Sequence, residues 1–179
     1  MRIISGTLGG RRFHPPQLPH TRPTTDFGKT GLFNILNNLI DFGECNVLDL
    51  FSGTGSISFE FVSRGSPRVV AVEKDLKCIT FIKKMKAEWG LDALELIPYE
   101  VFRYLENARE KFDVIFAGPP YPLPNIADLP AIIFRQPLLH QNGWFILETD
   151  RRHRFDTHPA FRRVVNYGQT TFHFFRNEH

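Results

Sequence analysis

Asn46-Val47-Leu48-Asp49-Leu50-Phe51-Ser52-Gly53-Thr54-Gly55 is the stretch whose reading decides the fold. Residues 46–51 are a short apolar run suited to a buried strand, and residues 54–63 resume with helical character up to a stop at Gly65. Between them, glycine lets the backbone turn tightly and come close to a ligand. The same alternation continues downstream: a strand over 68–73, a helix over 75–89 with Cys78, Ile82, Met85 and Trp89 on one face, and a strand over 94–97. A helix over 100–108, a strand over 112–117, a helix within 126–135 and a strand over 143–149 follow. Upstream, Thr24-Thr25-Asp26 offers capping side chains for a helix that begins near Phe27, aligns Leu32, Ile35, Leu36, Leu39 and Ile40, and ends near residues 41–43. Two last runs, 162–167 and 170–175, flank Gly168-Gln169 as a hairpin.

Strands alternating with helices predict an α/β fold, Rossmann-like, with a mostly parallel sheet covered on both faces and a C-terminal antiparallel hairpin. Residues 1–25 differ in composition. They read as an N-terminal β-hairpin extension, 2–5 and 11–13 around Gly9-Gly10, followed by a Pro-rich segment from Pro15 to Pro23; residues 26–179 form the main domain. At 179 residues, 42% hydrophobic and 23% charged, the chain has the make-up of a globular protein that builds its own core. No apolar run reaches membrane-spanning length, and Met1 to Gly6 lacks the apolar stretch of a signal peptide, so a cytoplasmic address is expected. Cys45 and Cys78 have no paired spacing and the seven histidines are scattered, so no metal site is expected. The net charge of +3 says little, but Arg2, Arg11, Arg12, Arg22 and Lys29 crowd the first thirty residues with Asp26 as the sole acid. Such an arm is either an ordinary solvated face or a surface that neutralises nucleic-acid phosphates.

Ligands of doubly wound sheets bind at the carboxyl ends of the strands, and the chemistry-bearing motifs all fall there. Asp49, Phe51, Ser52, Gly53 and Gly55 form the loop after the first strand. Glu73 ends the second, twenty positions after Gly53, where an acid can accept hydrogen bonds from both hydroxyls of a ribose. Lys74 lies beside it on the expected cofactor wall, although Lys74 and Asp75 also suit a turn and a helix cap. After the third strand, Glu100 and Val101 either face an adenine ring or simply open a helix, whose dipole favours an acid. A dinucleotide dehydrogenase shares the glycine loop and the acid, but its third glycine would fall at Ser58.

After the fourth strand comes Ala117-Gly118-Pro119-Pro120-Tyr121. Two prolines stiffen the backbone and hold its carbonyls outward, while the tyrosine offers a stacking face for a base. Methyltransferases acting on amines carry Asp or Asn immediately before Pro-Pro-Tyr. An exocyclic amine is a poor nucleophile, and acceptors that hold its N–H groups favour a tetrahedral, reactive nitrogen. Here the whole chain resembles the bacterial 16S rRNA guanine-N2 methyltransferases. The likeness runs through Arg2-Ile3-Ile4-Ser5-Gly6, Gly10-Arg11-Arg12, Arg22-Pro23-Thr24-Thr25-Asp26, Leu32-Phe33-Asn34-Ile35-Leu36 and residues 47–55. It continues at Ser63-Arg64-Gly65, Val72-Glu73, Pro119-Pro120-Tyr121, Glu148 and Tyr167-Gly168-Gln169-Thr170.

The resemblance implies S-adenosyl-L-methionine as cofactor and 16S rRNA, or an assembly particle of the small ribosomal subunit, as partner. It places Asp49, Gly53, Gly55, Glu73 and Glu100 around the cofactor. It also sets the N-terminal hairpin with Arg22, Thr24 and Thr25 at the RNA entrance, and Gly118 to Tyr121 at the reacting amine. The family's acid before Pro-Pro-Tyr is Gly118 here, and glycine has no side chain to accept the amine's hydrogen bond. That departure keeps open a binding module that has lost its chemistry, and an adenine-N6 DNA methyltransferase shares the amine logic. Asp113 sits near the start of its strand, at the end away from such a pocket.

Overall fold

The computed structural model describes residues 1–19 and 23–179, so Arg22, an expected RNA contact, lies outside the described residues. Strands β1 (Asn46–Leu50), β2 (Arg68–Glu73), β3 (Leu94–Pro98), β4 (Phe112–Ala117) and β5 (Leu139–Thr149) pair in parallel. Strands β6 (Phe161–Tyr167) and β7 (Thr170–Arg176) add an antiparallel hairpin, completing a seven-stranded sheet of order β3-β2-β1-β4-β5-β7-β6. Side chains of successive strand residues point to opposite faces, and here both faces are buried. One face, with Val47, Val114, Phe116 and Ile146, packs under α1 (Asp26–Leu36), α2 (Ser56–Ser63) and α3 (Leu76–Trp89). The other, with Leu48, Leu50, Ile115, Ala117 and Leu147, packs under α4 (Val101–Asn107) and α5 (Leu129–Arg135). Among the described residues, no helix is long and apolar enough to cross a membrane.

Three elements depart from the expectations. The first helix ends at Leu36 rather than near residue 43. Asn38 N donates to Ile35 O in a tightened last turn, and Asp41 caps a separate short 3-10 turn at Phe42–Glu44. Asparagine and aspartate side chains compete for backbone groups, which is why the chain leaves the helix there despite its apolar spacing. β5 starts at Leu139, four residues early, across an irregularity opposite Phe112 and Val114. The N-terminal hairpin is reduced to one bridge, Arg2 with Arg12, flanked by Ile3 N donating to Arg11 O.

The reason the hairpin stops there is a buried carboxylate. Glu60 of α2 is fully buried and accepts from Ile4 N and Ser5 N at 3.0 and 3.2 Å, so these amides are not available to a strand partner. Arg64 completes the charge pairing at 3.2 Å. Ile3, Leu8 and Phe13 are buried, and Phe13 meets Phe59 and Trp89 edge to face at 5.6 and 5.8 Å. The N-terminal segment is therefore part of the main core. Gly6 sits against α2 at a φ of +87°, and a Cβ there would fall 1.9 Å from the Ser63 carbonyl oxygen.

Lys29, expected on the positive surface, is fully buried, a correction that follows from helix geometry. With Thr25 capping α1, positions 29, 32, 33 and 36 share the inward stripe, and Lys29 lies among apolar neighbours. Its ammonium donates to Arg2 O at 2.6 Å and Ser56 Oγ at 3.1 Å, and lies over the Phe13 ring. Burial pulls its pKa down, with Glu60 opposing.

Gly6→Ala should lower the unfolding free energy by about 2–4 kcal/mol, from an unfavourable left-handed backbone and a steric clash with Ser63. Urea denaturation of the variant, compared with Gly10→Ala, where a Cβ meets nothing within 4 Å, checks that the loss comes from the contact.

Candidate active site

The strand order reverses between β1 and β4, because one crossover runs outward to β2 and β3 while the other returns past β1. At that point the two strand ends diverge and leave a crevice. A cavity of about 810 Å³ opens there, within the range of small-molecule sites. Asp49, Phe51, Ser52, Gly53, Glu73, Lys74, Glu100 and Val101 line it on one side, and Gly118, Pro119, Pro120 and Tyr121 on the other. The predicted cofactor and reaction motifs thus meet in one space. Gly55 is the exception. It stands at the start of α2 with a φ of +88°, where a Cβ would come within 2.8 Å of the Phe59 ring, so it shapes the loop from behind the wall.

The loop after β1 is organised by Glu73. Gly53 N donates to Glu73 Oε2 at 2.7 Å, while Lys74 N and Asp75 N donate to Oε1 at 2.8 and 2.9 Å. Three amides hold the carboxylate in one orientation, and Oε2 keeps lone-pair capacity for a further donor. Phe51 adopts a φ of +58°, strained for an aromatic residue, and packs against Phe102. Ser52 Oγ is buried with no hydrogen-bond partner among the described residues. A buried hydroxyl of that kind, in a loop facing a cavity, calls for a ligand to satisfy it.

Asp49 is 1% exposed and accepts from Ser58 Oγ at 2.6 Å. Ser58 stands where a dehydrogenase has its third glycine, and here its hydroxyl orients the acid. Burial pushes the Asp49 carboxyl up to about 7, against the hydrogen bond from Ser58, with the nearby Glu73 and Glu148 charges adding to the rise. Glu100 caps α4, accepting from Arg103 N at 2.9 Å, and also lines the cavity, so the cap and a ligand-facing position are compatible.

On the opposite wall, Gly118 N donates to Leu50 O at 3.3 Å, tying the end of β4 to β1. Pro120 O accepts from Leu123 N, closing a turn that brings Tyr121 and Leu123 to the cavity. Asp113 is held at the other end of the sheet, accepting from Asn46 N at 2.8 Å.

The residues of the positive arm divide into separate roles. Arg2, Arg11 and Arg12 are exposed. Thr25 caps α1 by accepting from Gly28 N, and Thr24 faces the cavity and donates to Glu148 Oε2 at 2.6 Å. Pro15, Pro16, Leu18 and Pro19 form a further wall of the cavity. Sequence reasoning did not find the roles of Glu60 or Ser58, nor the closeness of Thr24 to Glu148. The partners of Glu60 and Thr24 lie far apart in the chain, and Ser58 meets Asp49 across a strand-to-helix turn, so neither helical nor strand spacing signals them. Among the described residues, no group of three or more His, Cys, Asp or Glu is arranged to hold a metal ion.

A seven-stranded sheet of this order, with an acid at the end of β2 and Pro-Pro-Tyr at the end of β4, defines the class I methyltransferase fold. The chain belongs to the family described as Conserved hypothetical protein 95, which it matches over residues 1–176. It is 33% identical over 160 residues to YlbH of Bacillus subtilis, whose name gives it provisionally as an rRNA methyltransferase, covering 84% of this chain and 83% of the relative. It is 26% identical to ribosomal RNA small subunit methyltransferase D of Escherichia coli K12, covering 99% of this chain and 90% of the relative. Its fold is shared with an RNA methyltransferase from Salinibacter ruber solved with S-adenosyl-L-homocysteine (TM-score 0.67, 21% identity, 87% and 94% of the two chains).

The unfolded value of an aspartate is near 3.8 and the folded value of Asp49 is about 7, so the protonated form is favoured by folding. That contribution is complete below pH 3.8 and is lost as pH rises through 7. The Asp49 contribution to the stability of the ligand-free protein should therefore fall between about pH 4 and 7, so the stability gained by Asp49→Asn relative to native should grow over that range. Urea titrations at stepped pH read it directly.

Proposed function

We propose that this chain is an S-adenosyl-L-methionine-dependent enzyme that methylates the exocyclic N2 amine of a guanine in small-subunit (16S) rRNA. Its partner in this reading is free 16S rRNA or an assembly particle of the small subunit, in the cytoplasm. The observation that carries the reading is the meeting of an acid-lined wall and a Pro-Pro-Tyr loop across one cavity. The names of the relatives support the same substrate class.

The chain's own groups fit the cofactor. The further capacity of Glu73 Oε2 suits a ribose hydroxyl, and Glu100 and Val101 suit an adenine edge and face. Asp49 and the partnerless Ser52 hydroxyl suit the polar, cationic end. The cofactor supplies an electrophilic methyl group on a positively charged sulfur. A cation in the cavity would draw Asp49 toward its ionised form, so the carboxyl is suited to respond to it.

On the substrate side, Tyr121 offers a face for a base and Pro119 a rigid carbonyl for one amine N–H. The neighbouring Pro120 carbonyl is engaged by Leu123. A base enters such a pocket only when it is unpaired or flipped out. The exposed Arg2, Arg11 and Arg12 lie on the segment that precedes the Pro15–Pro19 wall, and they suit phosphates bordering the entrance. Gly118 favours a second reading, a cofactor- and RNA-binding module without chemistry.

The deciding measurement is transfer of labelled methyl from S-adenosyl-L-methionine to small-subunit particles lacking this modification, with the product nucleoside identified by mass spectrometry. N2-methylguanosine is the expected product. Tight binding of cofactor and particle without label would favour the module, and label on adenine would replace the guanine reading. Glu73→Ala should weaken cofactor binding at least about tenfold by calorimetry, from loss of a charge-assisted ribose contact. Replacing Arg11 and Arg12 together by Gln should leave cofactor affinity unchanged and reduce the salt dependence of particle binding by about two counterions.

A further inference from the structure

The expected acid before Pro-Pro-Tyr is missing at Gly118, yet the space it would serve is not without a carboxylate. β4 and β5 pair in parallel with Ala117 opposite Leu147, so the next residues, Gly118 and Glu148, are neighbours across the strands. Registered neighbours project to the same face. That face is the one carrying Phe116 and Ile146, beneath α1 and α2, and it includes Asp49 opposite Phe116. A Cβ built on Gly118 would lie 3.4 Å from Glu148 Oε2 and 3.2 Å from the Phe116 ring. Glu148 lines the cavity together with Gly118, Pro119 and Tyr121.

We propose that Glu148, reaching from the adjacent strand, replaces the missing acid of the Pro-Pro-Tyr motif and holds the target amine through its N–H. This rests on the guanine-N2 reading above. The Glu148 carboxyl reaches the ground a side chain at 118 would occupy, from one strand over and with a longer arm. Thr24 fixes it by donating to Oε2 at 2.6 Å, so the residue before the α1 cap sets the rotamer of a residue at the end of β5. The carboxyl is 4% exposed, and burial pushes it up to about 7 against the Thr24 hydrogen bond. In the transfer, the nitrogen–carbon bond forms as the carbon–sulfur bond breaks. Sulfur keeps the electron pair as a neutral thioether, and the proton released by nitrogen passes to the Glu148 carboxylate.

The test is a double-mutant cycle between positions 118 and 148, run on the full chain with small-subunit particles. Glu148→Leu should lower the single-turnover rate about a hundred- to a thousandfold, the usual loss for one positioned hydrogen-bonding group. Its melting temperature and cofactor affinity should stay close to native. Glu148→Gln keeps an acceptor oxygen and should retain more rate than Glu148→Leu. Gly118→Asp added to Glu148→Leu should recover at least about tenfold, and its effect in the native background, where the new carboxyl crowds Glu148, should be less favourable than that.

A readout without turnover accompanies it. With S-adenosyl-L-homocysteine bound, the native protein should prefer RNA bearing guanosine over inosine, which lacks the N2 amine, and Glu148→Leu should lose that preference. Thr24→Val keeps the carboxylate and should cost far less than Glu148→Leu, separating loss of the acceptor from loss of its tether. If Glu148→Leu is well folded and transfers methyl at the native rate, the inference is wrong. It also falls if the native chain is inert and Gly118→Asp alone makes N2-methylguanosine, an outcome that favours the binding module with its chemistry lost at position 118. Absence of transfer by all four proteins of the cycle removes the reading it rests on and the inference with it.

Discussion

Parallel pairing of β1 with both β2 and β4 is the constraint from which the rest of this molecule follows. Because the strands are in register, the chain leaves each of them at the same edge of the sheet, and each exit loop faces the same crevice. Glu73 can therefore reach Gly53 across one strand spacing, and Gly118 N can reach Leu50 O across the next. These are the bonds that give the cavity fixed walls. A register slip by one residue would turn Asp49 to the opposite face and replace it with an aliphatic side chain. The acid at 49 is thus a consequence of pairing as much as of sequence.

The walls also depend on charges buried away from the cavity. Glu60 holds the amides of Ile4 and Ser5, Arg64 pairs with it, and Lys29 reaches the Arg2 carbonyl. Buried charges are costly to desolvate, and removing one partner leaves the other uncompensated. What this arrangement supplies is position. It draws the N-terminal segment into the core through Ile3, Leu8 and Phe13, and thereby sets the direction from which Pro15 to Pro19 approach the cavity. An arm that reads as separate in composition is anchored at its root, while its arginines stay on the surface.

Within the cavity two carboxyls, Asp49 and Glu148, are buried on one face and both are pushed up to about 7. Such groups change charge readily when a cation enters, which suits a site for a sulfonium cofactor. Each is fixed by one hydroxyl, Ser58 for the first and Thr24 for the second. The pairing of an acid with a neutral donor, rather than with a lysine or arginine, leaves the charge available to the ligand.

Much of this was legible beforehand. The glycine loop after an apolar run, Glu73 twenty positions on and the alternation of strands with helices determined the fold class and which strand ends line the cavity, because hydrophobic periodicity and turn chemistry act over a few residues. Where local signals compete with side-chain hydrogen bonding the sequence misled, as at Asn37-Asn38, where the first helix stops early. The inward turn of Lys29, the role of Ser58 and the closeness of Glu148 to Gly118 were decided only by the tertiary structure. Each depends on which face of an element meets which neighbour, through contacts 27, 9 and 30 positions apart in the chain. The contacts at 27 and 30 positions are set by packing and register beyond any local window. The one at 9 spans a strand, a turn and a helix, so neither helical nor strand periodicity relates its two ends.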